Sequence, residues 1–369
     1  MRPLFSMSYQ PEPSYDHGSP ARTGLLLCNL GTPESPTPGA TRRYLAQFLS
    51  DPRVIEIPKL AWWPILHGII LRTRPAKSAK KYASIWMPEG SPLMVWTQRQ
   101  ATLLQGYLGE RGHQLIVRHA MRYGQPSIAS QLDALKAAGA TRVLVLPAYP
   151  QYCAATTASV VDDVARWALT HRHLPELRIV NHYHDDAGYI AALAESVRSH
   201  WQREGQADML VMSFHGMPAR SLALGDPYHC ECLKTGRLLA EALGLSPAQY
   251  KVTFQSRFGK ARWLEPYTEP TLRSLAGNGL KSVDLICPGF AADCIETLEE
   301  IDMEAREAFL HSGGQRFSYI PCLNDRPAHI RALASIAEQH LQGWPTRAAP
   351  DDAALARQRD AALMLGASR

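Results

Sequence analysis

Residues 209–218, MLVMSFHGMP, run an apolar, β-rich segment straight into a histidine and a Gly–x–Pro break. Five of the first six residues are apolar, with no alternating polar position, which is the pattern of a strand covered on both faces. The glycine and proline then end it. The same design recurs in GLLLCNL (24–30), QLIVRHA (114–120), RVLVLPA (142–148), LRIVNHY (177–183), YKVTFQ (250–255), VDLIC (283–287) and FSYIPC (317–322). Longer amphipathic stretches such as PLMVWTQRQATLLQGYL and HIRALASIAEQHL separate these runs. Strand–helix alternation predicts an α/β protein with parallel sheets flanked by helices.

Three short matches occur twice in the same order. NLGTP (29–33), RYG (122–124) and LPAY (146–149) in the first part answer FHGMP (214–218), RFG (257–259) and CPGF (287–290) in the second. Each closes an expected strand, so the chain reads as two lobes on one plan. Gly31 and Gly124 are 93 residues apart, whereas Gly216 and Gly259 are 43 apart. The first lobe thus holds an insertion of about 50 residues, expected within 50–100. The resulting division is a flexible leader (1–22), a first lobe (23–165), a second (166–344) and a polar tail (345–369).

At 369 residues the chain has room for two such lobes. Its 39 basic and 34 acidic residues nearly balance, which disfavours nucleic-acid binding. No apolar run reaches the ~20 residues of a membrane span and no signal core opens the chain, so a cytoplasmic location is expected. Seven cysteines without a C-x-x-C pair argue against a disulfide framework or a zinc ribbon. The insertion stands out. Between Glu56 and Glu89 it has no acid, but it carries Lys59, Arg72, Arg74, Lys77, Lys80 and Lys81 interleaved with Trp62, Trp63, Tyr82 and Trp86. Such a surface suits a flat anionic ligand or a membrane face, and equally an ordinary helix packed by its aromatics.

Open parallel sheets bind ligands at the carboxyl ends of their strands, which is where His215 falls. After another strand end comes DCIETLEEIDMEA (293–305). At 100° per residue Asp293, Glu296, Glu300 and Glu304 share one face, opposite Ile295, Leu298 and Ile301. A solvated acidic face is the plain reading. A row without lysine or arginine until Arg306 also suits a divalent cation, and imidazole with carboxylate suits Fe²⁺, Co²⁺ or Zn²⁺.

SFHGMP (213–218), GDPY (225–228), FQSRFGKARWLEPYT (254–268) and PGFAADCIETLEEID (288–302) resemble the ferrochelatase family. So do LLLCNLGTPESP (25–36), GSPLMVWT (90–97), MRYGQPSI (121–128) and LPAYPQYCAATTAS (146–159). The resemblance runs from about residue 22 to 343. It implies two Rossmann-like lobes facing across a cleft, and insertion of Fe²⁺ into protoporphyrin IX to give protohaem. It implies that His215 and Glu296 are the catalytic and metal-binding pair, with Asp293 and Glu300 lining a metal and proton route. It further implies that Arg74, Tyr82 and Ser91 meet the propionates, that Leu30 and Trp263 pack on the macrocycle, and that Tyr228 of GDPY borders the substrate. Many members have histidine two residues before the Glu296 position, where this chain has Cys294. With no cysteine after Cys322, the [2Fe–2S] cluster of some members is not expected, and Fe²⁺ is the sole expected metal. The insertion would form the cleft's lip and touch a membrane peripherally. The competing readings are a coproporphyrin III or other tetrapyrrole chelatase, and a non-catalytic porphyrin carrier.

Overall fold

The computed structural model describes residues 9–259, 261–347 and 351–368. Two four-stranded parallel sheets form its framework. The first contains β1 (Arg22–Gly31), β2 (Leu115–Tyr123), β3 (Ala140–Pro147) and β4 (Glu176–Ile179), in the order β2-β1-β3-β4. The second contains β5 (Met209–His215), β6 (Tyr250–Gln255), β7 (Ser282–Ile286) and β8 (Arg316–Ile320), in the order β6-β5-β7-β8. Each sheet therefore places its first strand between its second and third. Leu25–Cys28 in β1 and Val211–Phe214 in β5 are completely covered, as continuous apolar runs require.

The repeated glycines do the same work in both lobes. A Cβ on Gly31, whose φ is +117°, would lie 1.8 Å from the Tyr123 carbonyl oxygen at the end of β2. One on Gly216 would lie 2.5 Å from the Gln255 carbonyl oxygen at the end of β6. Only a bare Cα lets the turn after the central strand cross so close to its neighbour.

The lobes exchange helices. Ala187–Glu204 follows β4 but packs on Tyr228–Leu243 of the second lobe, and Pro327–Leu341 follows β8 but packs on Pro92–Glu110 of the first. One apolar cluster consequently joins Leu25, Leu27 and Leu144 to Leu210, Met212 and Phe214 through Leu193, Val197, Leu333 and Ala337. Arg178 of β4 seals the exchange by donating to the carbonyls of His340 (2.7 Å) and Gln342 (2.8 Å).

Three boundaries differ from the sequence reading. A lobe border at residue 165 would cut the helix Ser159–Ala168 and strand β4, which pairs with β3 from Arg142↔Glu176 to Val145↔Ile179; the border therefore follows β4. The first lobe's extra elements begin before residue 50, with Pro38–Leu49, and continue through Lys59–Ile65, a π-helical turn at Leu66–Ile70, and Leu71–Ile85. Residues 9–21 of the expected leader dock on the first lobe, because Glu12 accepts from Lys136 and from the amides of Arg172 and His173, both at 3.0 Å. The Lys136 bond, followed by the His173 amide, holds the Glu12 carboxyl down at about 2. Residues 1–8 lie outside the described part. The tail forms the helix Asp352–Met364, capped by Asp351 and seated against Gly18. No described helix is long and apolar enough to cross a membrane.

Candidate active site

His215 ends β5, in register with Gln255 of β6. Its Nδ1 lies 2.7 Å from the Gly216 carbonyl oxygen. A carbonyl can only accept, so in the neutral ring the proton sits on Nδ1 and the lone pair on Nε2. Tyr228, buried on the helix Tyr228–Leu243, donates its hydroxyl to the His215 carbonyl at 3.0 Å. Trp263 is also buried and covers Gly216, whose Cβ position is 3.2 Å from its ring. The Gly216 carbonyl thus fixes the ring, while tyrosine and tryptophan fix the His215–Gly216 backbone that carries it.

Gln255 carries the connection onward. Its amide oxygen accepts from the Ser213 hydroxyl (2.7 Å), and its amide nitrogen donates to the Glu296 carbonyl (2.7 Å). Ser256 follows with φ of +64°, a conformation that costs a residue with a Cβ about 1 kcal/mol. Both its amide and its hydroxyl donate to Glu300, each at 2.6 Å. Burial pushes the Glu300 carboxyl above its ordinary range; Ser256 and His215 pull it down, and neighbouring Glu296 adds to the rise. Glu300 is therefore within electrostatic reach of both His215 and Glu296.

The four-acid stripe is not kept. Regular helix covers only Ile295–Thr297, and Leu298–Ala305 is π-helical, so a uniform 100° step misplaces the side chains. Asp293 precedes the helix and turns inward. It accepts from Tyr319 (2.5 Å), Thr297 (3.0 Å), the Cys322 amide (3.3 Å) and Asn324 (2.6 Å). With three donors on Oδ1 and one on Oδ2, Asp293 braces the loop. Glu304 and Glu299 are bound by Lys81 of the insertion, each at 2.9 Å, so the row is compensated from the other lobe.

The first lobe meets this group at Glu296. The charge of Glu296 contributes, after burial, to raising the hydroxyls of Tyr82 and Tyr44 well above their usual range. Leu30, half-buried at the end of β1, packs with Tyr82, Tyr44 and Ile295 on one side and with Cys294 on the other. Ser91 is buried and accepts from Thr32 at 2.7 Å. Arg74 is exposed, with no ion pair among the described residues. Cys294 is buried, and burial together with the Glu296 charge holds its thiol protonated, unlike an imidazole at that place. Trp62 and Trp63 part company: the Trp62 indole donates to the Leu49 carbonyl at 2.7 Å, while Trp63 is 63% exposed. Gln255, Ser256, Tyr44 and Lys81 were given no role by sequence, although Gln255 and Ser256 lie in the stretch 254–268 and Lys81 in the basic row of the insertion.

Two parallel-sheet lobes of this topology form the fold of solved chelatases. The fold agrees with SirB from Bacillus subtilis with Fe³⁺ (TM-score 0.52, 12% identity, 86% of this chain and 95% of that one). It agrees similarly with the sirohydrochlorin chelatase SirB from Bacillus subtilis subspecies spizizenii in complex with cobalt (TM-score 0.51, 10% identity, 88% and 98%). At such identities the likeness is one of fold alone. Within that class the chain belongs to the ferrochelatase family, whose model matches residues 22–341. The ferrochelatase of Methylibium petroleiphilum is 66% identical over 98% of this chain and 99% of its own. That of Polaromonas sp. is 66% identical over 98% and 100%, and that of Dechloromonas aromatica 59% over 97% and 99%.

Proposed function

We propose that this chain inserts Fe²⁺ into protoporphyrin IX to form protohaem, with His215 and Glu296 as the catalytic pair and Glu300 as proton relay. The observation that carries the assignment is the free Nε2 lone pair of His215, fixed by the Gly216 carbonyl beside Glu300. Chelation replaces two pyrrole N–H protons by one dication, so the site needs an acceptor that is neutral before each transfer. Nε2 accepts the proton. Glu300, whose carboxyl lies above its ordinary range, can take it from the imidazolium where an exposed carboxylate would be a poorer acceptor. Glu296, between the Tyr82 side and Glu300, is the carboxylate offered to the incoming metal. Leu30, Trp263 and Tyr228 form apolar and aromatic walls for the macrocycle, and Ser91, Tyr82 and Arg74 the propionate side.

The test compares His215→Ala and His215→Asn, followed by the loss of porphyrin fluorescence with Fe²⁺. Asparagine can still donate to the Gly216 carbonyl but offers no base, so both variants should lose about 10²–10⁴-fold in rate. Porphyrin affinity should stay within a few-fold. Near-normal insertion in either variant would overturn the assignment. Running the wild type with coproporphyrin III as well separates the two substrates, and porphyrin binding without turnover would indicate a carrier.

For the lip, Leu60 (94% exposed), Trp63 and Ile69 present apolar surface next to the unpaired Arg74. This supports weak peripheral contact of a cytoplasmic chain with an anionic membrane face.

A further inference from the structure

We infer that His182, His184 and Glu231 form a second divalent-metal site, at the seam between the lobes, for a borderline transition ion such as Zn²⁺ or Co²⁺. Among the described residues these are the three side chains whose ligand atoms all lie within 4.8 Å of one another. The local sequence explains how. In the extended segment leaving β4, residues two apart share a face. Tyr183 turns into the core against Tyr189, at 5.5 Å between rings, and leaves both histidines on the other side. Their own rings are 5.2 Å apart.

Glu231 comes from the other lobe, in the first turn of the helix Tyr228–Leu243. Its Oε1 is 2.7 Å from Nδ1 of His182, and its Oε2 is 3.3 Å from Nδ1 of His184. That second contact is not a hydrogen bond: Nδ1 of His184 is buried with no partner, in a residue only 6% exposed. A buried unpartnered imidazole nitrogen beside a carboxylate is a cost that a cation removes, since it takes a lone pair from each.

The supports resemble those of a built site. The Tyr152 amide donates to Glu231 Oε2 at 2.7 Å, and Thr235 donates to the His184 carbonyl at 2.8 Å while accepting from Gln151 at 3.0 Å. The adjacent ammonium of Lys234 is engaged by Asp185 and so is neutralised locally. Two imidazoles and a carboxylate, with half-exposed His182 open to water, match a three-ligand site with a fourth position for solvent. Because the ligands come from both lobes, the ion would clasp them. This adds a resident metal to a chain whose sequence points only to Fe²⁺ as substrate.

The test omits porphyrin, so it stands apart from the reading of His215. Zn²⁺ is dialysed to equilibrium against the full chain, counted by elemental analysis, and its effect on the thermal midpoint is recorded. Wild type should bind a Zn²⁺ that raises the midpoint, His182→Ala should bind it at least tenfold more weakly with no rise, and His215→Ala should retain it. If His182→Ala does not fold, Glu231→Gln, which can still accept from the Tyr152 amide, gives the same reading. Equal affinity in wild type and the seam variants, or a loss confined to His215→Ala, would overturn the proposal.

Discussion

Replacing Gly216 with alanine tests whether the position of the imidazole, and not its mere presence, sets the rate. The added methyl would sit 2.5 Å from the Gln255 carbonyl oxygen, where real contacts do not fall below 3.0 Å, so the turn must move by at least about 0.5 Å. It cannot rotate away on the other side, because Trp263 is already at 3.2 Å from the same point. The movement strains the 2.8 Å bond from the Gly216 amide to that same carbonyl and carries His215 with it. Overpacking of this kind costs about 1–3 kcal/mol of stability. A catalytic group displaced by half an ångström lies at the limit of productive geometry, so the insertion rate should fall about 10-fold or more, with porphyrin affinity little changed. The measurements are denaturant unfolding and porphyrin fluorescence loss with Fe²⁺. Gly106→Ala is the control: it lies in the helix Pro92–Glu110 with nothing within 4 Å of its added methyl, and should stabilise by about 0.5–1 kcal/mol. If Gly216→Ala matched the wild type in both stability and rate, the close packing of this turn would have no bearing on catalysis.

Three further outcomes are expected. Glu300→Gln should slow insertion yet stabilise the fold: the raised carboxyl favours folding below its unfolded value and loses that contribution as pH rises through the folded one, so the mutant's advantage should grow above the ordinary carboxylate range. A midpoint difference independent of pH would refute this. Asp51→Ala strands Arg122, bound at 2.5 Å, together with Tyr123 and Ser159 at 2.8 and 2.6 Å; with Asp163 still 3.7 Å away, a loss near 3 kcal/mol is expected in urea unfolding, and a change below 1 kcal/mol would contradict it. Sedimentation with anionic vesicles should weaken in a Leu60→Ala/Trp63→Ala variant and not in Trp62→Ala, whose indole faces Leu49; identical sedimentation of all three counts against the lip's role.

All eight strands were legible because each sheet is covered on both faces, which forces largely apolar runs such as Leu25–Cys28 and Met209–Phe214, the latter broken only by Ser213. The paired lobes were legible for a related reason: Gly31 and Gly216 answer the same steric demand and stand out as repeats. His215 could be located from its strand end. The acid row could not be resolved, since the π-helical stretch at 298–305 leaves no composition signal and changes the phase of every later side chain. Asp293 looked like part of that row because its partners Tyr319 and Asn324 lie 26 and 31 residues away. Lys81 looked unpaired for the same reason, its acids being 218 and 223 residues distant. The lobe border was missed because a strand's own residues do not say which sheet it joins: β4 pairs with β3, some 30 residues earlier, through contacts that only the fold brings together.

The helix exchange has a mechanical corollary. Since Ala187–Glu204 and Pro327–Leu341 each lie across the other half, spreading the halves apart would tear open the shared apolar cluster. The Lys59–Ile85 arm takes no part in that cluster, and its regular helix is interrupted by the π-helical turn at Leu66–Ile70 and by Pro75, so a change in the arm would leave the clasp between the halves intact.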